Sequence, residues 1–226
     1  MVRWQDTMET IVPQCENSRM SDREHSTVVL LSSLYLAPVA YYSRLYRAGD
    51  AVVEICDNYQ KQSYRNRCTI AGAGGPLSLS VPIEKPVTTK CRMKDIRIAD
   101  HGNWRHLHWN AIVSAYNATP FFQYYEDDFR PFYEQKMDFL IDWNEMLRQL
   151  VCRLVGIGTA VSYSTEYRED LPPHWTDLRE AIHPKKTSAY EASPYYQVFA
   201  GKQGFLPNLS IIDLLFNMGN ESRLYL

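Results

Sequence analysis

No stretch of the 226-residue chain holds the ~18 consecutive apolar residues that a membrane-spanning helix requires. The longest apolar runs, Thr27–Leu31 and Ile211–Phe216 with their flanks, are too short. Met1–Glu24 has no apolar h-region and mixes both charge signs, so it does not read as a secretory signal. Cysteine is scarce and odd in number: Cys15, Cys56, Cys68, Cys91 and Cys152 stand far apart, with no CxxC. That disfavours a disulfide framework or zinc knuckle and suits a reducing cytoplasm. GxGxxG, GxxxxGK, GxSxG, HExxH and DxD motifs are all missing, and Asp127-Asp128 is adjacent rather than spaced. No metal and no cofactor are therefore expected. Nor does one sign of charge dominate: 24 basic against 26 acidic residues give a net charge of −2, which disfavours bulk nucleic-acid binding.

What the chain has in quantity is aromatic: 5 Trp, 16 Tyr and 8 Phe. Residues 1–26 are polar and aperiodic and read as a disordered extension. From 27 to 226 the pattern predicts one mixed α/β domain with an α+β tendency, β-rich in its N-terminal half and helical in its C-terminal half. Thr27–Leu34 reads as a strand, Pro38 opens a helix through Val39–Tyr46, and Ala51–Ile55 reads as a buried strand. Tyr64–Ile70 and Leu77–Ile83 are extended, joined by a Gly-rich hairpin loop at 72–76. Lys94–Ile98 reads as a short strand. Trp104–Tyr116 has helical periodicity with Asn103 as N-cap, and Phe121–Phe132 is helical in pieces. Met137–Leu154 is the clearest helix, ended by Gly156; Ala160–Tyr163 is a last strand and Leu209–Met218 a closing helix.

Charge is divided along the chain. Residues 57–97 hold eight cations against three acids; residues 121–145 hold seven acids against two cations. Two solvated faces that pair would explain this, and so would a basic patch for an anionic substrate.

The densest polar run is Asp57 to Cys68. In an extended Tyr64–Ile70, Asn66 and Cys68 share one face while Arg65 and Arg67 take the other. Positive neighbours raise the thiolate fraction of a cysteine, so Cys68 is a candidate nucleophile and Asn66 a candidate oxyanion donor. Lys61, Arg65 and Arg67, with Tyr59 and Tyr64 beside them, are candidate substrate-binding residues for a phosphate-bearing ligand. The alternative is an edge strand with an inert buried cysteine. Three histidines crowd into 101–108. On a helix His106 and His108 point about 200° apart and cannot grip one metal, so each is instead a candidate general base or thiol partner. Asp177 and Arg179 could pair with other elements.

The run Asn58 to Cys68 resembles the signature of the WbqC-like family. So do Tyr35 to Tyr42, Trp104–Tyr116, Thr119 to Tyr125, and the ending from Gln197 through Asn217. Together the resemblance spans about Val28 to Asn220, and family members usually begin near Leu31. It implies a bacterial protein linked to surface-polysaccharide and O-antigen gene clusters. It further implies an acyl or aminoacyl, glycine-type transferase. The implied partners are a small-molecule or carrier-bound acyl donor and a nucleotide-sugar or amine acceptor, with no nucleic acid and no membrane span. A non-catalytic binding or assembly module of such a pathway is the alternative.

Overall fold

Val28–Ser32, an apolar run rich in β-branched residues, forms β1, a central strand of a four-stranded sheet. The computed structural model describes residues 27–85, 90–186 and 190–226. The predicted extension lies outside the described residues. After β1 come α1 (Val39–Arg47), β2 (Asp50–Glu54), β3 (Arg67–Gly72) and β4 (Gly75–Ser80). The second half supplies α2 (Trp104–Tyr116), α3 (Phe122–Glu134), α4 (Leu140–Val155), β5 (Ala160–Tyr163), β6 (Trp175–Asp177), α5 (Ala200–Gln203) and α6 (Ile211–Met218). The expected mixed α/β class, with strands mainly early and helices mainly late, is what the chain adopts.

The larger sheet has the order β5-β2-β1-β6 with every pair parallel. The smaller is the β3–β4 antiparallel hairpin. Side-chain alternation divides the parallel sheet into two faces. Val29, Leu31, Ala51, Val53, Ile55, Val161, Tyr163 and Leu178 join the main core together with Leu147 and Val151 of α4 and Leu214 and Leu215 of α6. Leu30, Val52, Ser162 and Trp175 belong to the opposite, outer face.

Tertiary contacts complete several local structures. The first free N–H groups of α1 are met by Leu209 O (from Val39, 2.9 Å) and by the Asn208 side chain (from Ala40, 2.9 Å). Gly156 ends α4 at φ 81°, where the missing Cβ removes the steric penalty. Many of the aromatic residues are core. Trp143 is fully buried and packs against Tyr35, Trp104, Phe132 and Tyr133.

Four expectations are corrected. Lys94–Ile98 is not a strand. Met93–Asp95 is a 3-10 turn, because Met93 and Ile96, three apart, both face the core. Asn103 does not cap α2 with its side chain; it takes a left-handed backbone (φ 45°) without a capping bond. Residues 122–134 form one continuous helix that includes Pro131. The i−4 carbonyl that Pro131 leaves free belongs to exposed Asp127, which water can satisfy. Finally, β5 is not the last strand: three residues at Trp175–Asp177 pair with β1.

Candidate functional site at the carboxyl ends of the parallel strands

Strand register builds the site. Ser32 pairs with Glu54 across β1–β2, Val52 with Ser162 across β2–β5, and Leu30 with Asp177 across β1–β6. The ladder continues past β5 and β6 through Ser164 N to Val53 O (3.0 Å) and Leu178 N to Leu30 O (2.9 Å). Ser164, Glu54, Ser32 and Arg179 therefore form one polar row on the outer face at the carboxyl edge. In open parallel sheets this edge is where ligands bind, because the connecting loops diverge there.

Two buried guanidinium groups organise the row. Arg179 forks onto Asp177 (2.7–3.2 Å) and reaches Glu54 Oε2 at 3.4 Å. Its backbone carbonyl accepts the Ser32 hydroxyl. The Arg179 hydrogen bonds hold the Asp177 carboxyl below its ordinary range. Glu54 is 1% exposed; its Oε1 accepts the Cys56 N–H (2.8 Å) and the Ser164 hydroxyl. Arg65, 2% exposed, turns inward to Asp57 Oδ2, donates to Ser32 Oγ (3.2 Å) and lies 3.7 Å from Glu180. Burial raises the Asp57 carboxyl, and the Arg65 charge opposes that rise.

Two buried atoms of this pair, Asp57 Oδ1 and Arg65 Nε, have no partner. One accepts and the other donates. The segments beside them meet through Gln60 with Glu180 and Lys185 with Gln62. Alongside the row, a cavity of about 240 Å³ lies on the outer face. Leu30, Val52 and Glu54 line it from the sheet; Arg168, Leu171 and Trp175 line it from the segment leading into β6.

The model of the WbqC-like protein family matches residues 33–183, two thirds of the chain. This chain belongs to the WbqC-like protein family. The matched span contains α1, β2, Asp57, Arg65 and the whole polar row except Ser32. The WbqC-like chain is also similar to Uncharacterized protein Rv1507c of Mycobacterium tuberculosis (strain ATCC 25618 / H37Rv), at 24% identity over 88% of this chain and 96% of that protein. No solved structure matches it.

The residues singled out in the WbqC-like sequence divide between two places. Cys68 lies in β3 and is 1% exposed. Burial pushes its thiol strongly up, and the neighbouring Tyr35 hydroxyl opposes that rise. The Tyr35 hydroxyl also meets His108 Nδ1 (3.2 Å) and the Tyr133 hydroxyl (2.9 Å). Tyr35 thus has both Cys68 and His108 as neighbours. His108 also faces the backbone of Ser80. Burial lowers the His108 imidazole to about 4, so this cluster is neutral at pH 7. His106 stands apart, exposed and bonded to Asn110 (2.9 Å). The Asn66 amide donates to Val81 O (2.8 Å). Arg67 reaches Ser80 Oγ (3.1 Å), Lys61 is exposed, and Tyr59 and Tyr64 are half-buried. Of the predicted cations only Arg65 enters the polar network at the strand ends.

Sequence reasoning passed over Glu54, Ser32 and Ser164 and left Asp57 and Arg179 without a role. A signal existed for Glu54: it is the one carboxylate inside the apolar run Ala51–Ile55. The matched Ser and Arg positions carry no such mark, because only strand order aligns them. Of the two charge-divided segments, Arg97 reaches across to Asp138 at 3.5 Å. Among the described residues no group of His, Cys, Asp and Glu is arranged to hold a metal, and no helix is long and apolar enough to cross a membrane.

Proposed function

We propose that this chain is an acyl or aminoacyl transferase that aligns an activated donor with an acceptor amine at the carboxyl ends of β1, β2, β5 and β6, without a covalent enzyme intermediate. The observation that carries this reading is the buried Asp57–Arg65 pair, whose Oδ1 acceptor and Nε donor are both left free. Buried polar atoms without partners are uncommon unless a ligand or ordered water supplies the partner. The free Nε suits an oxygen that gains negative charge as an acyl carbon is attacked. The free Oδ1 suits the proton released by the attacking amine, and a carboxyl raised by burial is closer to the basicity that task needs. In the step, the amine nitrogen bonds the acyl carbon and the leaving group departs with the electron pair of its bond. The amine proton passes to Asp57. Exposed Lys61 and half-buried Arg67 and Tyr59 belong to the stretch of sequence that carries Arg65, and to them we assign the hold on a phosphate-bearing leaving group. Surface-polysaccharide biosynthesis in the cytoplasm is the setting that the family resemblance supports.

One observation favours a second reading, a covalent route through Cys68. The Tyr35 hydroxyl bonds His108 Nδ1 and lies beside the Cys68 thiol, an arrangement that suits proton transfer from thiol to imidazole. Against it stands the lack, among the described residues, of a charged neighbour to favour thiolate. Incubation with candidate acyl thioesters, followed by intact mass and amide-product assays, separates the two. The non-covalent reading expects no adduct, transfer retained in Cys68→Ala and transfer lost in Asp57→Asn. An acyl adduct on Cys68 with turnover abolished in Cys68→Ala overturns it. Ligand binding without turnover for any donor would leave a binding or assembly module.

A further inference from the structure

We propose that the cavity on the outer face of the parallel sheet binds a small organic cation, a primary ammonium group carried on a flat apolar or aromatic body. This binding stands independently of the transferase reading above, because Asp57 and Arg65 do not line the cavity.

The walls divide by chemistry. Leu30 and Val52 form an apolar floor, and Leu171 and Trp175 rise from the segment entering β6. Ser162 and Ser164 offer hydroxyls, and Glu54, Glu166 and Arg168 bring charge. At ~30 Å³ per water, 240 Å³ equals about eight waters, which suits a single ring with a short arm. Trp175 can take a flat body against its ring face or a cation over it.

Charge bookkeeping around the cavity selects the sign of the ligand. Arg168 pairs with Glu166 at the exposed rim (2.8 Å). Deeper in, Arg179 is spent on Asp177, to which it forks, and touches Glu54 only at 3.4 Å. Three carboxylates (Glu54, Asp177, Glu166) thus face two guanidinium groups. The excess negative charge falls on Glu54, whose side chain is 1% exposed. Its Oε1 is occupied by two neutral donors, the Cys56 N–H and the Ser164 hydroxyl. Its Oε2 has the long Arg179 contact and lone pairs to spare. A buried carboxylate held this way gains most from a fully charged donor. An ammonium group has three N–H donors, enough for Glu54 Oε2 and the neighbouring serine hydroxyls. An anionic ligand would meet net repulsion, and a neutral alcohol would leave the charge uncompensated.

The test uses the full chain and three probes of one shape: phenethylamine, phenethyl alcohol and 3-phenylpropionate, each titrated by calorimetry. Phenethylamine is expected to bind at least about tenfold more tightly than the other two. Glu54→Gln should erase the preference for amine over alcohol, whereas Trp175→Ala should weaken both alike. Glu166 is exposed, so Glu166→Gln leaves the fold intact and should weaken the amine alone, by about twofold. Should Glu54→Gln fail to fold, the probe series on the wild type together with Glu166→Gln decides. Binding of the propionate as tight as that of the amine overturns the inference, as does the absence of binding by every probe. Asp57→Asn, which lies outside the cavity, should bind phenethylamine as the wild type does. Amine binding retained while no donor supports transfer refutes only the transferase reading. Transfer intact without amine binding refutes only this inference.

Discussion

Replacing His108 by Asn should flatten the acid limb of the stability profile. His108 is 6% exposed and sits between the Tyr35 hydroxyl, the Trp104 ring and the Ser80 backbone. The titratable side chain bonded to it is Tyr35, which in turn neighbours Tyr133 and Cys68; all three are pushed up by burial and therefore uncharged, so none stabilises an imidazolium. Burial lowers its pKa from 6.5 to about 4. A depressed folded-state pKa means that the unfolded chain binds the proton more readily. The contribution is therefore whole above pH 6.5, declines as pH falls, and is spent once pH passes about 4. At 1.36 kcal/mol per unit, the span corresponds to about 3 kcal/mol at most. Asp57 and Asp213, both raised by burial, act with the opposite sign at the acid end, so the decisive quantity is the difference between wild type and variant. Urea midpoints measured from pH 7.5 to 4 should show the wild type losing up to about 3 kcal/mol more than His108→Asn, even though the variant is weaker at pH 7.5. Parallel profiles for the two proteins would refute the claim that His108 is neutral because it is buried.

Four further outcomes follow from the packing. Asp213→Ala strands three buried donors, the Tyr116 and Tyr195 hydroxyls and the Gln197 amide, and should cost about 3 kcal/mol or more in urea unfolding while exposing residues 195–206 to protease. Trp143→Ala removes the centre of the aromatic cluster and should cost about 3–5 kcal/mol by the same measurement. Gly219 has φ 57°, and a Cβ there would stand 2.6 Å from the Phe121 ring, so Gly219→Ala should lower thermal stability by about 1–3 kcal/mol. In native protein treated with iodoacetamide at neutral pH, half-exposed Cys91 should label well before buried Cys56, Cys68 and Cys152, as read by peptide mass mapping; rapid labelling of Cys68 would instead support the covalent route.

Local pattern carried most of the secondary structure. The period of Leu140–Val155, the glycine after it and the apolar runs of β1 and β2 are properties of adjacent residues, and each element stands within a few residues of its expected bounds. The family, too, was legible, since it is written in long ordered matches such as Asn58 to Cys68 and is borne out over residues 33–183. Elements that failed were those set by distant partners. Three residues become β6 only because β1 offers them an edge, and the turn at Met93 replaces a strand because two side chains three apart both find core. The candidate site belongs to this second class. Reading Asp57 to Cys68 as one run found Arg65 and Cys68, yet the fold sends Arg65 to the strand ends and Cys68 into a neutral aromatic core. Ser32, Glu54, Ser164 and Arg179 come from four separate stretches and meet only because parallel pairing in the order β5-β2-β1-β6 places them at one level. Spacing along a chain reports which residues share a face of one element. Which elements lie side by side is decided by burial and backbone pairing between residues 22 to 147 positions apart, and the polar row with its cavity exists only at that level.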